Sequence, residues 1–416
     1  MRINYRKIIL AATLAALVAM PAVAGAEPFT QCPDPDPGRD IQCQHVAAGD
    51  GFVKMADGRE IYTFGFSDVT GIPDDQVLDT GIFRANFPAP LIRTREGQEL
   101  YLTLTNVGLH QRPDLFDPHS VHYHGFPNAS AIFDGLPESA ITVNQQASIT
   151  YYYKNVEPGT YMWHCHVEAT EHMQMGMLGN LYVEPAQNQT GYDVNRDGTI
   201  SPVEAAQTKA KLEGGGDPGA PQGYVYNDGD GSTAYDIEYY LQLGAFDHNF
   251  HDASENVQPL PFAAMHDTYP MINGRGYPDT AVAGPLPKLA NSRSNADPSP
   301  QPVSSLITAF QGQKILLRLS NLSVVRHYTI TVLGIPMKVV GHGARLLRGA
   351  GQAVGNNVFY NTNVLTLGGG ESADVILDTS GVAPGTYFLY TTNLNHLSNN
   401  QEDFGGMMTE IVINNI

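Results

Sequence analysis

At 416 residues, with 42% hydrophobic and 16% charged residues, the chain has a globular composition and room for two or three domains. A formal charge of −19 argues against a nucleic-acid partner, because an anionic surface repels a polyphosphate. The 42 Gly and 28 Pro, with recurrent Tyr, Phe and Val and few helical periodicities, favour many short strands joined by turns.

The N-terminus has the layout of an export signal. Arg2, Arg6 and Lys7 form a basic head, and Ile8 to Met20 is an apolar run too short to span a bilayer. Ala22, Ala24 and Ala26 offer small-x-small cleavage sites. Residues 1–26 are therefore read as a removed signal and the protein as periplasmic or extracellular. Cleavage removes three cations and no anion, taking −19 to −22. No later apolar run approaches a membrane span.

In the segment 27–46, Cys32 and Cys43 flank a Pro/Asp-rich stretch and can form a disulfide in an oxidising compartment. That leaves Cys165 unpaired, which is a liability in an exported protein unless a metal holds it.

The two halves of the chain repeat. Residues 96–106 align with 311–321, each a turn followed by an alternating strand. Pro158-Gly159-Thr160-Tyr161 aligns with Pro384-Gly385-Thr386-Tyr387, and 177–183 with 408–413. Two copies of one β-sandwich, 47–187 and 233–416, account for this, joined by a polar, Gly-rich connector at 188–232. A Pro/Ser/Asn-rich stretch at 284–304 reads as a long surface loop inside the second copy.

The first copy carries His119-Ser120-Val121-His122-Tyr123-His124. Alternate residues of a strand face the same way, so His122 and His124 share a side while His119 stands at the strand entry. Further on, Trp163-His164-Cys165-His166 puts His164 and His166 on one side and Cys165 on the other. One strand can thus present a thiolate to one metal and two imidazoles to another. His119, Cys165 and His172, with Met177 as a weak axial ligand, form the blue (type 1) copper set, because thiolate and imidazole favour copper and a long thioether tunes it. Met173 and Met175 compete for the axial place, and zinc is the rival metal.

The connector contains a twelve-residue stretch, 193–204, with the spacing of an EF-hand loop. Asp193, Asn195, Asp197, Thr199 and Glu204 fall at positions 1, 3, 5, 7 and 12, and Gly198 at 6. Hard oxygen donors in that order suit calcium, here as a brace between domains. The stretch starting at Asp228 begins the same way, but Tyr239 occupies its twelfth position.

Asn86-Phe87-Pro88-Ala89-Pro90, Phe133-Asp134-Gly135-Leu136-Pro137 and Ile272-Asn273-Gly274-Arg275 complete a pattern with these motifs. It resembles the multicopper oxidases, especially two-domain, laccase-like members with type 1 copper in the first domain. The resemblance covers nearly the whole mature chain. It implies an all-β fold of two cupredoxin-like (Greek-key β-sandwich) domains, with type 1 copper at His119, Cys165, His172 and Met177. His122, His124, His164 and His166 would hold a second copper site, half of an oxygen-reducing trinuclear cluster.

The second copy departs from that pattern. Tyr328, Thr331 and Leu333 align with His119, His122 and His124, and Tyr390, Thr391 and Thr392 align with His164, Cys165 and His166. Its remaining histidines, His327, His342 and His396, stand at shifted positions. More distantly the chain is similar to copper nitrite reductase, a trimer that joins a type 1 copper to one catalytic copper at a subunit interface. This implies a homotrimer, with any second copper where the first domain of one chain meets the second domain of another. Tyr328, Thr331, Leu333, Tyr390 and Thr392 would then line the far wall. The reading is an exported copper oxidoreductase served by a redox partner protein or a small reducing substrate. The alternative is a non-enzymatic electron carrier or copper-binding protein.

Overall fold

The strand-and-turn composition resolves into two sandwiches in a computed structural model. It describes residues 30–127, 129–189, 222–349 and 355–415, with 199, 201–203 and 206 between them. The signal read at 1–26 lies outside the described residues, as do the calcium candidates Asp193, Asn195, Asp197 and Glu204; Thr199 is described and exposed. Among the described residues no helix is long and apolar enough to cross a membrane.

The first sandwich is built from β1 (Ile41–Lys54), β2 (Glu60–Asp68), β3 (Ala89–Arg95), β4 (Glu99–Gly108), β5 (His122–His124), β6 (Ser148–Lys154), β7 (Gly159–His164), a short helix α1 (Ala169–Gln174) and β8 (Leu178–Glu184). One sheet runs β2-β1-β4-β6 and the other β3-β8-β7-β5. Alternation sends Leu100, Leu102 and Leu104 of β4 inward with Val46, Phe64, Tyr151 and Trp163, and that core also contains Cys165, Met175 and Met177. Cys32 and Cys43 are bonded, and Cys165 is free and buried.

The second sandwich comprises β9 (Ile237–Phe246), a helix α2 (His248–Glu255), β10 (Tyr269–Ile272), β11 (Ile307–Phe310), β12 (Lys314–Asn321), β13 (Tyr328–Val332), β14 (Met337–His342), β15 (Val364–Leu367), β16 (Glu371–Asp378), β17 (Gly385–Thr391) and β18 (Met408–Asn414). Its sheets run β10-β9-β12-β16-β14 and β11-β18-β17-β13-β15. Strand order and register reproduce the first sandwich. His122 stands opposite His164 across β5 and β7, and Thr331 stands opposite Tyr390 across β13 and β17. The aligned positions are thus the same places in the fold, and in the second domain they carry no imidazole.

The domains meet through the sheet that carries β12. Ile315, Leu317 and Leu319 fill the second core, while Arg318 and Ser320 on the opposite face are equally buried because the first domain covers them. Thr160 of β7 donates to Asp374 (2.6 Å) and its carbonyl accepts from Ser372 (2.6 Å); Ser320 donates to Asn180 (2.5 Å). Arg318, fully buried, sits 2.9 Å from Glu238 and 3.6 Å from Asp374. Such pairs satisfy charges that burial would otherwise penalise by several kcal/mol each.

The stretch 284–304 is irregular and has more exposed than buried residues, as a surface loop should, and it has a second role. It straps the first domain: Asn295 N–H donates to Phe83 O (2.8 Å), Phe87 N–H to Pro300 O (2.8 Å), and Gln301 grips both the N–H and the carbonyl of Lys54. Ala296, Ser299 and Gln301 are buried. Pro and Ser-rich composition marks an irregular backbone, but it does not say whether another domain's edge satisfies that backbone.

Candidate metal centre

The end of β7 and the turn after it create two sets of donors facing opposite ways. His164 is the last residue of β7, and the chain then leaves the strand for α1. Cys165 N–H donates to Met177 O (3.1 Å) and Met177 N–H to His172 O (2.9 Å), so the turn folds back on the strand end. This brings His172 Nδ1 within 3.3 Å of Cys165 Sγ, with His119 Nδ1 3.9 Å away on the other side. The three donor atoms lie within 4.8 Å of one another, all on buried residues. Met175 and Met177 are both buried in the core that holds Cys165. Met173 is not an axial competitor, since it lines the cavity on the far side of α1.

The electrostatics of this group suit a cation. Burial holds His119 well below the usual imidazole range, leaving a neutral ring with a free lone pair. Burial also disfavours charge on His172, but the Cys165 thiol and Asp117 outweigh it and push the ring up to about 10. The Asp117 carboxylate lies 3.6 Å from His172 Nε2. The same negative neighbourhood that keeps a proton on His172 would attract a metal ion. Two imidazole nitrogens and a thiol converging in a water-excluded pocket match a soft N/S-binding metal. Asp117 was not singled out in the sequence; its one signal is its place two residues before His119.

The second set opens into a cavity of about 450 Å³. His122 and His164 face each other across the β5–β7 pair, and donor atoms of His122, His124 and His164 lie within 4.8 Å of one another. His166 stands beside them, its ring 5.1 Å from that of His122. Two rings have their tautomer set by carbonyls: His122 Nδ1–H donates to Asp134 O (2.6 Å) and His164 Nδ1–H to Cys165 O (2.8 Å). Each therefore has an unprotonated Nε2, that of His164 lying 3.4 Å from His124 Nδ1, the arrangement that outer partners impose on metal-binding histidines. Burial lowers His122 and His124 and takes His164 down to about 3, so all three rings are neutral, the ligating form.

The wall opposite these histidines belongs to the same chain's second domain, through residues 322–327, Gly369 and Gly370. It is a wall within one chain, whereas the far wall expected from the sequence is that of a neighbouring chain. Tyr328 is buried with its hydroxyl on Asp267 (2.6 Å), Thr331 donates to Asn363 O (2.7 Å), and neither lines the cavity; nor do Leu333, Tyr390 and Thr392. His327, set aside on alignment, does line it, whereas His342 pairs with Tyr360 (2.8 Å) and His396 packs on Tyr328. Gly370 explains itself here: its φ is +87°, and a Cβ would come 2.6 Å from His124 Nε2.

Comparison with known proteins places this geometry in a family. One multicopper oxidase family model matches residues 69–188 and a second matches residues 203–414. The chain belongs to the multicopper oxidase family. Membership implies copper, and the donor sets above fit it. The multicopper oxidase MmcO of Mycobacterium tuberculosis (strain ATCC 25618 / H37Rv) is 32% identical over 91 residues, 22% of this chain and 16% of that protein. Alignments with the curated relatives span 16% to 34% of those proteins' lengths. The blue copper oxidase from Nitrosomonas europaea superposes with a TM-score of 0.58 at 20% identity, over 90% of this chain and 86% of that one. A copper nitrite reductase from Nitrosomonas europaea gives 0.52 at 15% identity, over 90% and 94%. At these identities the likeness is one of fold: two cupredoxin-like domains in a multicopper oxidase arrangement.

Proposed function

We propose that this multicopper oxidase relative is an exported oxidoreductase with two kinds of copper site in its first domain. His119, Cys165, His172 and Met177 hold a type 1 copper. His122, His124, His164 and His166 hold a reduced second site of one or two coppers. The observation that carries this reading is the meeting of His119 Nδ1 and His172 Nδ1 at the buried Cys165 thiol, one residue from an imidazole that faces the other cavity. Bound copper would supply one-electron redox chemistry, which these side chains lack.

The chain's own residues do the rest. Asp117, partly exposed beside His172 Nε2, orients that ring and marks the edge at which a reducing substrate or a redox partner protein would deliver electrons. The single peptide between Cys165 and His164 links the two sites covalently. The carbonyls of Asp134 and Cys165 hold His122 and His164 with Nε2 unprotonated. The second domain closes part of the cavity, but carries Thr331 and Tyr390 where its own histidine pair would stand. That substitution argues against a complete trinuclear cluster.

In this proposal the protein is periplasmic or extracellular and assembles as a homotrimer whose neighbouring chains complete the cavity. The 193–204 loop binds calcium as a brace. Calcium rests on the loop's sequence, and the trimer on the resemblance to copper nitrite reductase. Counting copper per chain, with the visible and paramagnetic spectra of each class, tests the assignment. Two or three coppers, one of them blue, are expected. One blue copper alone would favour the electron carrier, and four with rapid laccase turnover would restore a full oxidase.

A further inference from the structure

The edge of β2 is where the turn 172–177 is tied down. Residues 62, 64 and 66 of this edge strand point their main-chain groups away from β1, and each meets a group from elsewhere. Phe66 O accepts from Asn86 N–H (3.0 Å), and Phe64 N–H donates to Met175 O (2.9 Å). At Tyr62 the group presented is a carbonyl, and the nearby group of the turn is the carbonyl of Gln174. Two acceptors cannot bond to each other. His251 stands between them, its Nδ1 2.6 Å from Tyr62 O and its Nε2 3.0 Å from Gln174 O.

His251 comes from the other domain. It lies on α2, whose N-cap Asp247 accepts from Asn249 N–H, and it is completely buried. Its ring packs on Phe246 with centroids 4.3 Å apart, and its neighbour Phe250 enters the same core as Cys165, Met175 and Met177. Gln174 is the last residue of α1, two positions after His172 and three before Met177. A neutral imidazole carries one N–H and can bond only one of the two carbonyls, Tyr62 O or Gln174 O; in its Nε2–H form it holds Gln174 O, so the turn has one carbonyl tied to β2 directly and the preceding one held by α2 of the second domain.

We infer that His251 is a positioning residue of the thiolate site: through the Gln174 carbonyl, the second domain fixes the turn that sets His172 and Met177 against Cys165. The inference rests on the copper reading of that site. An outer partner of this kind sets ligand orientation, and its loss typically costs about 10- to 100-fold in metal affinity.

The test compares His251→Gln with His251→Asn in the full chain. A Gln amide reaches the place of Nε2 and can still donate to Gln174 O; an Asn amide reaches only the place of Nδ1, near Tyr62 O. His251→Gln should retain the wild-type copper affinity and visible band. His251→Asn should lose about 10- to 100-fold in affinity, with a displaced thiolate-to-copper band. Hydrogen exchange of residues 172–178 in the metal-free protein reads the turn without copper, and should be faster in the Asn variant only. Two Gln/Asn results overturn the inference: both variants like wild type, or both altered alike with equal loss of melting temperature, which would make His251 mere packing. A wild type without a blue band would instead remove the copper reading, and the exchange comparison would still decide whether His251 holds the turn.

Discussion

His164 Nδ1 lies 2.8 Å from the carbonyl oxygen of Cys165, so the imidazole facing the cavity is tied to the very peptide group that carries the thiol. Neither side chain can be reoriented without disturbing the other. A thiolate site and a four-histidine site are thereby held at fixed separation by one strand end.

In the proposed type 1 site Cys165 would supply the soft sulfur donor. Replacing it by Ser should abolish the intense thiolate-to-copper band of the copper-loaded protein while leaving copper at the second site. The visible spectrum together with a metal count checks this. A colourless Cu(II)-loaded wild type would remove the type 1 assignment.

The four-histidine face should be separable from the thiolate. His164→Ala combined with His166→Ala should lose all copper beyond type 1, and the blue band should largely remain. With Thr331 and Tyr390 in place of a second histidine pair, four-electron oxygen reduction with laccase substrates should be weak or absent in the fully loaded wild type. Rapid turnover with four coppers per chain would mean that His327, which lines the cavity, and further groups act as ligands.

The contact between domains should be strongly stabilising. Asp374 accepts from Thr160 and Tyr226 (both 2.6 Å) beside the fully buried Arg318. Asp374→Ala leaves Arg318 with Glu238 alone and should cost about 3 kcal/mol. Denaturant unfolding measures it. A loss near zero would show that Glu238 alone suffices.

Acid should weaken the metal-free protein through His251. Burial is the main cause that lowers this ring to about 4, against an ordinary value of 6.5, although two carbonyls oppose it. Below about pH 6.5 the unfolded chain takes up a proton that the folded chain refuses, so stability is full above that pH and declines as pH falls toward 4. Between pH 7.5 and 5 the loss from this ring is about 2 kcal/mol. His251→Gln should show a correspondingly shallower decline in unfolding free energy. Identical slopes would exclude His251 as the source.

Calcium should stabilise the protein through 193–204. Chelation should lower the melting temperature of wild type and leave Asp193→Ala/Glu204→Ala unaffected. Equal responses would remove the loop from the account.

Much of the candidate site was legible in the sequence because strand alternation is local. The period of two in His122-Tyr123-His124 and His164-Cys165-His166 already sorted the donors into two faces. The repeat likewise placed Thr331 and Tyr390 at the positions of His122 and His164, and the strand register agrees. The choice of donor residues, the two-sandwich fold and the loss of histidines in the second half are properties of short segments and their recurrence.

Other features depended on which segments meet. The 284–304 stretch has a loop's composition, and only packing turns it into a strap on the first domain. His327 shares a cavity with histidines from the other sandwich because the domains close on one another, and no spacing along the chain encodes that closure. His251 is distant in sequence from Gln174, yet its Nε2 stands 3.0 Å from that carbonyl. Donor chemistry was settled by residue type and local period. The support of those donors was settled in three dimensions, because buried carbonyls and charges must find partners wherever the fold supplies them.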